Sequence, residues 1–141
     1  MKRISIALAG AAIIAAIVAA PTGAQGGPVY APKDCTTPKI EPKRITLACA
    51  DAGTALKHLR WNDWNADKVK GQGTLYVKKC KPNCSAGGFA KYPARVTLKN
   101  VQMYSCGGQT LPMYRRVHIR FKGKKPAHPQ DYRSTKLFCN G

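Results

Sequence analysis

At 141 residues the chain is long enough for one domain, which excludes a multidomain enzyme or a large cofactor-binding fold. It carries 24 Lys and Arg residues against 6 Asp and Glu residues, giving a formal net charge of +18. With so few carboxylates, chemistry that depends on Asp or Glu has few candidate residues.

Residues 1–24 have the three parts of a secretory signal peptide. Lys2 and Arg3 form the charged N-terminal region, and residues 4–20 are an uncharged run of small and apolar side chains. A segment of small residues that ends at Ala24 then provides the cleavage region. We place the cleavage site after Ala24. An uncleaved membrane anchor is the alternative, but a run this short and rich in Ala disfavours it.

Removal of the signal peptide takes away two cations and no anion, so residues 25–141 keep a net charge of +16. Repulsion among these charges destabilises a compact state, so we expect the fold to contain an additional stabilising feature. The sequence predicts a secreted or extracellular protein, with the cell envelope as the second option, and a monomer.

All six cysteines lie beyond the signal peptide. An even number in a short exported chain predicts three disulfides, formed among Cys35, Cys49, Cys80, Cys84, Cys106 and Cys139. Six cysteines allow fifteen pairings. We expect the two outermost, Cys35 and Cys139, to pair with each other, and the pairing of the inner four stays open.

Metal and redox chemistry are weaker interpretations of these cysteines. Cys80 and Cys84 are separated by three residues, so there is no CxxC pair, and the three histidines are scattered. We therefore expect no metal and no cofactor.

Short alternating segments predict the secondary structure. Residues 25–43 are a proline-rich extended arm, and regular alternation begins at Arg44. Residues 51–59 fit either a helix or a turn followed by a strand, and we favour the second. The pair Gly71 and Gly73 is interpreted as a turn, followed by a short β-rich run.

The second half of the chain alternates more clearly. Residues 79–88 form a loop closed by two cysteines, and Gly107-Gly108 marks a turn between two strands. Around that turn, inward side chains alternate with outward cations in residues 92–99 and 114–122. Residues 124–141 are a basic tail held at Cys139.

These elements define the expected fold. The sequence predicts an all-β protein, a small antiparallel β-sandwich or open barrel of about five or six strands, stabilised by disulfides after an N-terminal signal peptide. Its β-domain core spans residues 44–123.

Several spaced motifs carry a resemblance. ITLACADAG at 45–53, LxWxxW at 59–64, GxGT at 71–74 and CxPxC at 80–84 are followed by GxxxYPxxVTL at 88–98 and VxIxFxG at 117–123. The chain resembles a group of small exported actinobacterial proteins without an assigned activity. The resemblance implies an exported single β-domain and no catalytic or binding residues. Cys35, Cys139 and the heavy Lys and Arg content depart from the group.

Known catalytic signatures are missing from the sequence, including GxSxG, HExxH and the P-loop. A Ser–His–Asp set could assemble in space from His58 or His118 with Asp51 or Asp63. Nothing local favours such a set. A small secreted hydrolase is therefore the weakest of the functional interpretations.

Trp61 and Trp64 have two interpretations, since large aromatics either fill a β-domain core or stack on ligands. If Trp61 faces inward with Leu59, strict alternation places Trp64 on the opposite face. We therefore expect Trp64 to be the exposed aromatic residue.

The basic surface is the strongest functional signal in the sequence. A net charge of this size exceeds ordinary solubility needs and predicts binding to a polyanion through counterion release. The partner would be a wall polymer, lipid head groups, a polysaccharide or free nucleic acid. The candidate residues are Lys78, Lys79, Lys81, Arg95, Lys99, Arg116, Arg120 and Lys122.

A second functional class is a protein-directed binding or inhibitor module. The Cys80–Cys84 loop would form its epitope, because a loop closed by a disulfide loses less entropy on binding. Changes at Lys81 and Pro82 would then abolish partner capture, whereas changes at Arg116 and Arg120 would not.

Overall fold

The computed structural model describes residues 26–141, so the predicted signal peptide lies outside the described residues. Six strands form one antiparallel sheet in sequential order, curled into a half-barrel. They are β3 (Arg44–Thr46), β4 (Thr54–Asn62), β5 (Val69–Lys78), β6 (Phe89–Cys106), β7 (Gln109–Phe121) and β8 (Ser134–Lys136). The predicted all-β antiparallel fold is confirmed, with the half-barrel corresponding to the open-barrel alternative.

Three small elements complete the described fold. A two-stranded antiparallel sheet joins β1 (Ala31–Pro32) to β2 (Pro38–Lys39), and α1 (Gln130–Arg133) precedes β8. No helix in residues 26–141 is long and apolar enough to cross a membrane.

One face of the six-stranded sheet packs into the core, because apolar residues alternate with polar ones along each strand. In β6 the inward residues are Ala94, Val96 and Leu98, as the alternation predicts. In β7, Val117 and Ile119 are buried on the same side. The core also includes Ile45, Leu56, Leu59, Val69, Leu75, Tyr114 and Leu137.

The ambiguous segment 51–59 resolves as a turn followed by β4. A register shift lies between Lys57 and Arg60, where three steps along β4 match two along β5, and His58 has a φ of 55°. This β-bulge brings Leu56 and Leu59 onto the same face although they are three residues apart. The bulge therefore explains why the segment also fits a helical period.

The predicted turn at Gly71 and Gly73 is wrong, since both glycines lie within β5. A Cβ on Gly71 would lie 2.5 Å from the carbonyl oxygen of Arg60 and 2.5 Å from the Trp61 ring. A Cβ on Gly73 would lie 2.8 Å from the Leu59 side chain. The glycines thus permit the close approach of β4 within a continuous strand.

The predicted turn at Gly107-Gly108 is confirmed. These residues connect Cys106 of β6 to Gln109 of β7, and their φ angles are 59° and 75°. A two-residue hairpin loop with two positive φ angles favours glycine at both positions.

The structure confirms three disulfides but contradicts the expected Cys35–Cys139 pair. The bonds are Cys35–Cys49, Cys80–Cys84 and Cys106–Cys139. The two ends of the chain do meet, because the backbone N–H of Asn140 donates to the carbonyl of Cys35 at 2.7 Å. Their cysteine side chains, however, bond to cysteines nearer in sequence.

The sheet and core extend beyond residues 44–123. On the N-terminal side, Val29 and Ala31 are buried, and Tyr30 forms a parallel bridge with Met113. On the C-terminal side, β8 adds the sixth strand along β7. Both segments add backbone hydrogen bonds to the sheet and buried apolar area to the core. Composition alone did not predict these contributions.

Trp64 is half-buried, so its predicted exposure is wrong. Its indole N–H donates to the carbonyl of Val29 at 2.8 Å, and its ring packs edge-on against Trp61 and Tyr114 at centroid distances of 5.3 Å. The chain leaves β4 at Asn62, so strand alternation does not govern Trp64. Both tryptophans contribute to the core.

Candidate functional site

The sheet surface opposite the core, here called the outer face, is rich in cations. Arg60, Gln72, Arg95 and Arg120 lie side by side across four strands. Neighbouring rows on the same face contain Lys70, Thr97, His118 and Ser134, and then Lys99, Arg116 and Lys136. Antiparallel register therefore aligns cations from strands that are distant in sequence.

Like charges oppose each other directly in this register. Arg95 is the partner of Arg120, and Arg116 lies between Lys99 and Lys136. Opposed like charges on one sheet face destabilise the pairing by roughly 0.2–1 kcal/mol each. Stability alone does not favour this arrangement.

The six carboxylate residues of the sequence do not offset these charges within the sheet. All six fall within residues 26–141, and each lies in α1 or in a connecting segment. They are Asp34, Glu41, Asp51, Asp63, Asp67 and Asp131.

A cleft of about 600 Å³ lies where the outer face meets the α1 segment. We call it the cationic cleft. Its floor comes from β6 and β7, and its walls come from the segments before β5 and after β7. Its charged and titratable lining residues are Lys68, Lys99, His118, Arg120, Lys125 and Arg133.

A chain of hydrogen bonds lies beside this cleft. Arg116 Nη1 donates to Ser134 Oγ at 3.1 Å, and Ser134 Oγ lies 3.2 Å from His118 Nε2. Burial of the imidazole, followed by the positive charges of Lys99 and Arg116, lowers the pKa of His118 below its ordinary value of 6.5. The cleft therefore holds a neutral imidazole among fixed cations at neutral pH.

The contact of His118 with Ser134 resembles two members of a hydrolytic triad. Among the residues that line the cleft, no Asp or Glu is present to orient the imidazole. Arg116 bonds to the serine hydroxyl instead. The Arg116 guanidinium and the Ser134 hydroxyl are hydrogen-bond donors available to an oxyanion at this position. Within residues 26–141, no group of three or more His, Cys, Asp or Glu side chains could hold a metal ion.

Four of the eight predicted polyanion-binding residues lie in two rows of the outer face. Arg95 is beside Arg120 in one row, and Lys99 is beside Arg116 in the other. Lys122 follows β7 and lines a smaller depression of about 170 Å³ with Arg60.

The other three predicted cations lie elsewhere. Lys78 is opposite Phe89 near the far end of β5, and Lys79 and Lys81 are exposed at or near the Cys80–Cys84 loop. Lys78 therefore lies at the end of the outer face farthest from the cationic cleft, and Lys79 and Lys81 follow it in the sequence.

Sequence reasoning missed the walls of the cleft. Lys68 and Lys125 come from connecting segments and Arg133 from α1, and the positions of these segments depend on the whole fold. Arg60 and Lys70 were also missed, because the bulge in β4 and the predicted turn in β5 obscured their alternation. The high content of Lys and Arg in the sequence was the available signal for these five residues.

No family model, curated protein or solved structure matches the chain.

Proposed function

We propose that this protein binds polyanions through its outer face, with the cationic cleft as the centre of the site. The observation that carries the proposal is the direct opposition of Arg95 and Arg120, and of Lys99 and Arg116, on a sheet without carboxylates. An anionic ligand converts these repulsive pairs into shared binding groups, since each oxyanion accepts hydrogen bonds from two cations.

The energetics favour a polymer over a single small anion. Exposed ion pairs contribute little individually, but a polymer that contacts several cations releases several counterions at once. The rows run across four strands, so one ligand chain can contact cations in successive rows. Affinity should therefore depend steeply on salt.

The disulfides favour an oxidising compartment, and we propose that the protein acts outside the cell or at its envelope. Wall polymers, anionic lipid head groups, polysaccharides and free nucleic acid are the anions available there. Lys78, Lys79 and Lys81 would extend the site for a long ligand.

Heparin-affinity chromatography tests the proposal. The wild-type protein should elute above roughly 0.2 M salt, because several simultaneous contacts are involved. An Arg95→Gln/Arg120→Gln variant should elute clearly earlier. Lys39→Gln provides a control with one charge removed from the separate two-stranded sheet, and should elute close to wild type.

Two results would contradict the proposal. One is elution of the wild-type protein below about 0.2 M salt. The other is an equal shift per charge for Lys39→Gln and for the double variant, which would indicate net charge rather than a defined face. Circular dichroism of each variant establishes that the fold is retained.

A further inference from the structure

An aromatic cluster lies on the outer face, away from the cationic cleft. Tyr76 and Phe89 have ring centroids 6.2 Å apart at an interplanar angle of 61°. Phe89 is the first residue of β6 and is 41% exposed. An exposed aromatic ring beside a second ring on a cationic face offers a flat apolar surface on which a planar group can stack.

The β-bulge in β4 adds two polar side chains to the same cluster. Lys57 Nζ lies 4.5 Å from the Tyr76 ring centroid and 5.2 Å from that of Phe89. His58 Nε2 lies 3.0 Å from the Tyr76 hydroxyl. From the neighbouring strand, Lys91 Nζ lies 5.3 Å from the Tyr76 centroid. Aromatic rings and ammonium groups are thus interleaved.

The cluster and the cationic cleft belong to one continuous surface. Tyr76 is six residues along β5 from Lys70, whose row contains His118. At about 3.4 Å per residue, this separation is ~20 Å. Arg60, Arg95 and Arg120 lie in a row between them. A ligand chain that follows the cations therefore reaches the rings.

Building on the polyanion-binding function above, we propose that Tyr76 and Phe89 form a stacking subsite for nucleobases and that the polyanion is single-stranded nucleic acid. Nonspecific single-strand binding sites combine a cationic groove along the backbone with aromatic rings on which bases stack. Lys57 and Lys91 then contact the phosphates that flank the stacked base. An exposed cation–π contact is weaker than a base–aromatic stack, so a base displaces an ammonium group from the ring.

The surroundings of Phe89 favour a base over a membrane. Residues 80–87, which precede β6, contain Lys, Pro, Asn, Ser, Ala and Gly besides the two cysteines, and no large apolar side chain. Interfacial membrane anchors present several large apolar side chains together. A duplex is also disfavoured, because its bases are stacked on each other and do not present their faces to protein rings.

The test compares two oligomers of equal charge. One is a fluorescently labelled oligo(dT) of about 12 nucleotides, and the other is an abasic oligomer with the same number of phosphates. Wild-type protein should bind oligo(dT) about fivefold or more tightly than the abasic oligomer, measured by anisotropy. Phe89→Ala should remove this preference while leaving the affinity for the abasic oligomer unchanged.

Phe138→Ala is the matched control, since Phe138 is 52% exposed and lies in the C-terminal segment outside the six-stranded sheet. It should retain the full preference for oligo(dT). Phe89→Trp should also retain the preference, because the larger ring stacks at least as well. This variant separates loss of stacking from damage to the fold.

The outcomes distinguish the stacking subsite from the wider function. Equal, salt-sensitive binding of both oligomers would overturn the stacking subsite and leave polyanion binding standing. Failure of both oligomers, of heparin and of anionic vesicles to bind would overturn both. A loss of heparin or vesicle affinity in Phe89→Ala without any preference for oligo(dT) would assign the rings to sugars or lipids and overturn the nucleic-acid proposal.

Discussion

Arg95 and Arg120 are direct partners in the antiparallel pairing of β6 and β7, and both side chains are exposed on the outer face. Two guanidinium groups at this spacing repel each other, and exposure to water reduces that repulsion without removing it. Sheet stability therefore disfavours two arginines at this position, whereas binding of an anion favours them.

Replacing one arginine of this pair should have opposite effects on stability and binding. We expect Arg120→Gln to raise the free energy of unfolding by up to about 1 kcal/mol, because it removes a like-charge pair. The same change should lower the salt concentration at which the protein elutes from heparin. Urea unfolding and heparin chromatography measure the two effects, and a variant that loses both stability and affinity would indicate a structural role for Arg120.

Gly71→Ala should destabilise the protein. The added Cβ would lie 2.5 Å from the Arg60 carbonyl oxygen and 2.5 Å from the Trp61 ring, so either the bulged strand or the indole must shift. Overpacking of this kind costs about 1–3 kcal/mol, which exceeds the gain of about 0.5–1 kcal/mol from replacing a strand glycine. Gly27→Ala is the control, since its Cβ would contact nothing within 4 Å. Equal unfolding midpoints for the two variants would contradict the close packing of β4 and β5.

The disulfides should differ in their contributions to stability. Cys106 and Cys139 are buried and close a loop of sequence separation 33, whereas Cys80 and Cys84 are exposed and close one of separation 4. In the chain-entropy model the long loop contributes about 4 kcal/mol and the short one about 2 kcal/mol. Double replacement by serine, followed by urea unfolding, measures each contribution. A larger loss from the Cys80–Cys84 pair would contradict this order.

His118 should make stability depend on pH. Its pKa in the folded state is lowered by burial and then by Lys99 and Arg116, so the unfolded chain binds a proton more readily. The contribution of His118 is therefore fully present above pH 6.5 and is lost as the pH falls through the lowered pKa. Thermal unfolding of wild type and of His118→Gln, compared at pH values above and below 6.5, measures how much of the pH dependence of stability comes from His118.

Ligand binding should reverse the effect of pH at the same residue. A bound anion next to His118 raises its pKa, so binding takes up a proton, and affinity for heparin should increase as the pH falls from about 7.5 to about 5.5. In His118→Gln most of this increase should disappear. An unchanged pH profile in the variant would show that the anion does not contact His118.

Two-residue alternation predicted the parts of the fold that depend on one strand alone. Arg95 and Lys99 are outward in β6 and Arg116 and Arg120 are outward in β7, because Val96, Leu98, Val117 and Ile119 require the core. The same local rule failed at Gly71 and Gly73. Glycine signals a turn and a close strand approach equally well, and the distinction depends on the side chains of β4.

Features that depend on tertiary neighbours were not predictable from local patterns. The expected Cys35–Cys139 disulfide is wrong although Cys35 lies beside Asn140, because the bonding partner of a cysteine depends on the direction of its side chain. Lys125 and Arg133 reach the cleft because β8 turns back along β7. The bulge at His58, which places Lys57 beside Tyr76, leaves no distinctive composition in the sequence.

The salt dependence of binding tests polyanion recognition most directly. The logarithm of the association constant for heparin, measured by titration at several NaCl concentrations, should fall linearly with the logarithm of the salt concentration. With four or more cations of the outer face engaged, we expect a slope of about −3 or steeper, and a shallower slope for Arg95→Gln/Arg120→Gln. A wild-type slope shallower than about −1, or one unchanged in the double variant, would contradict binding through this face.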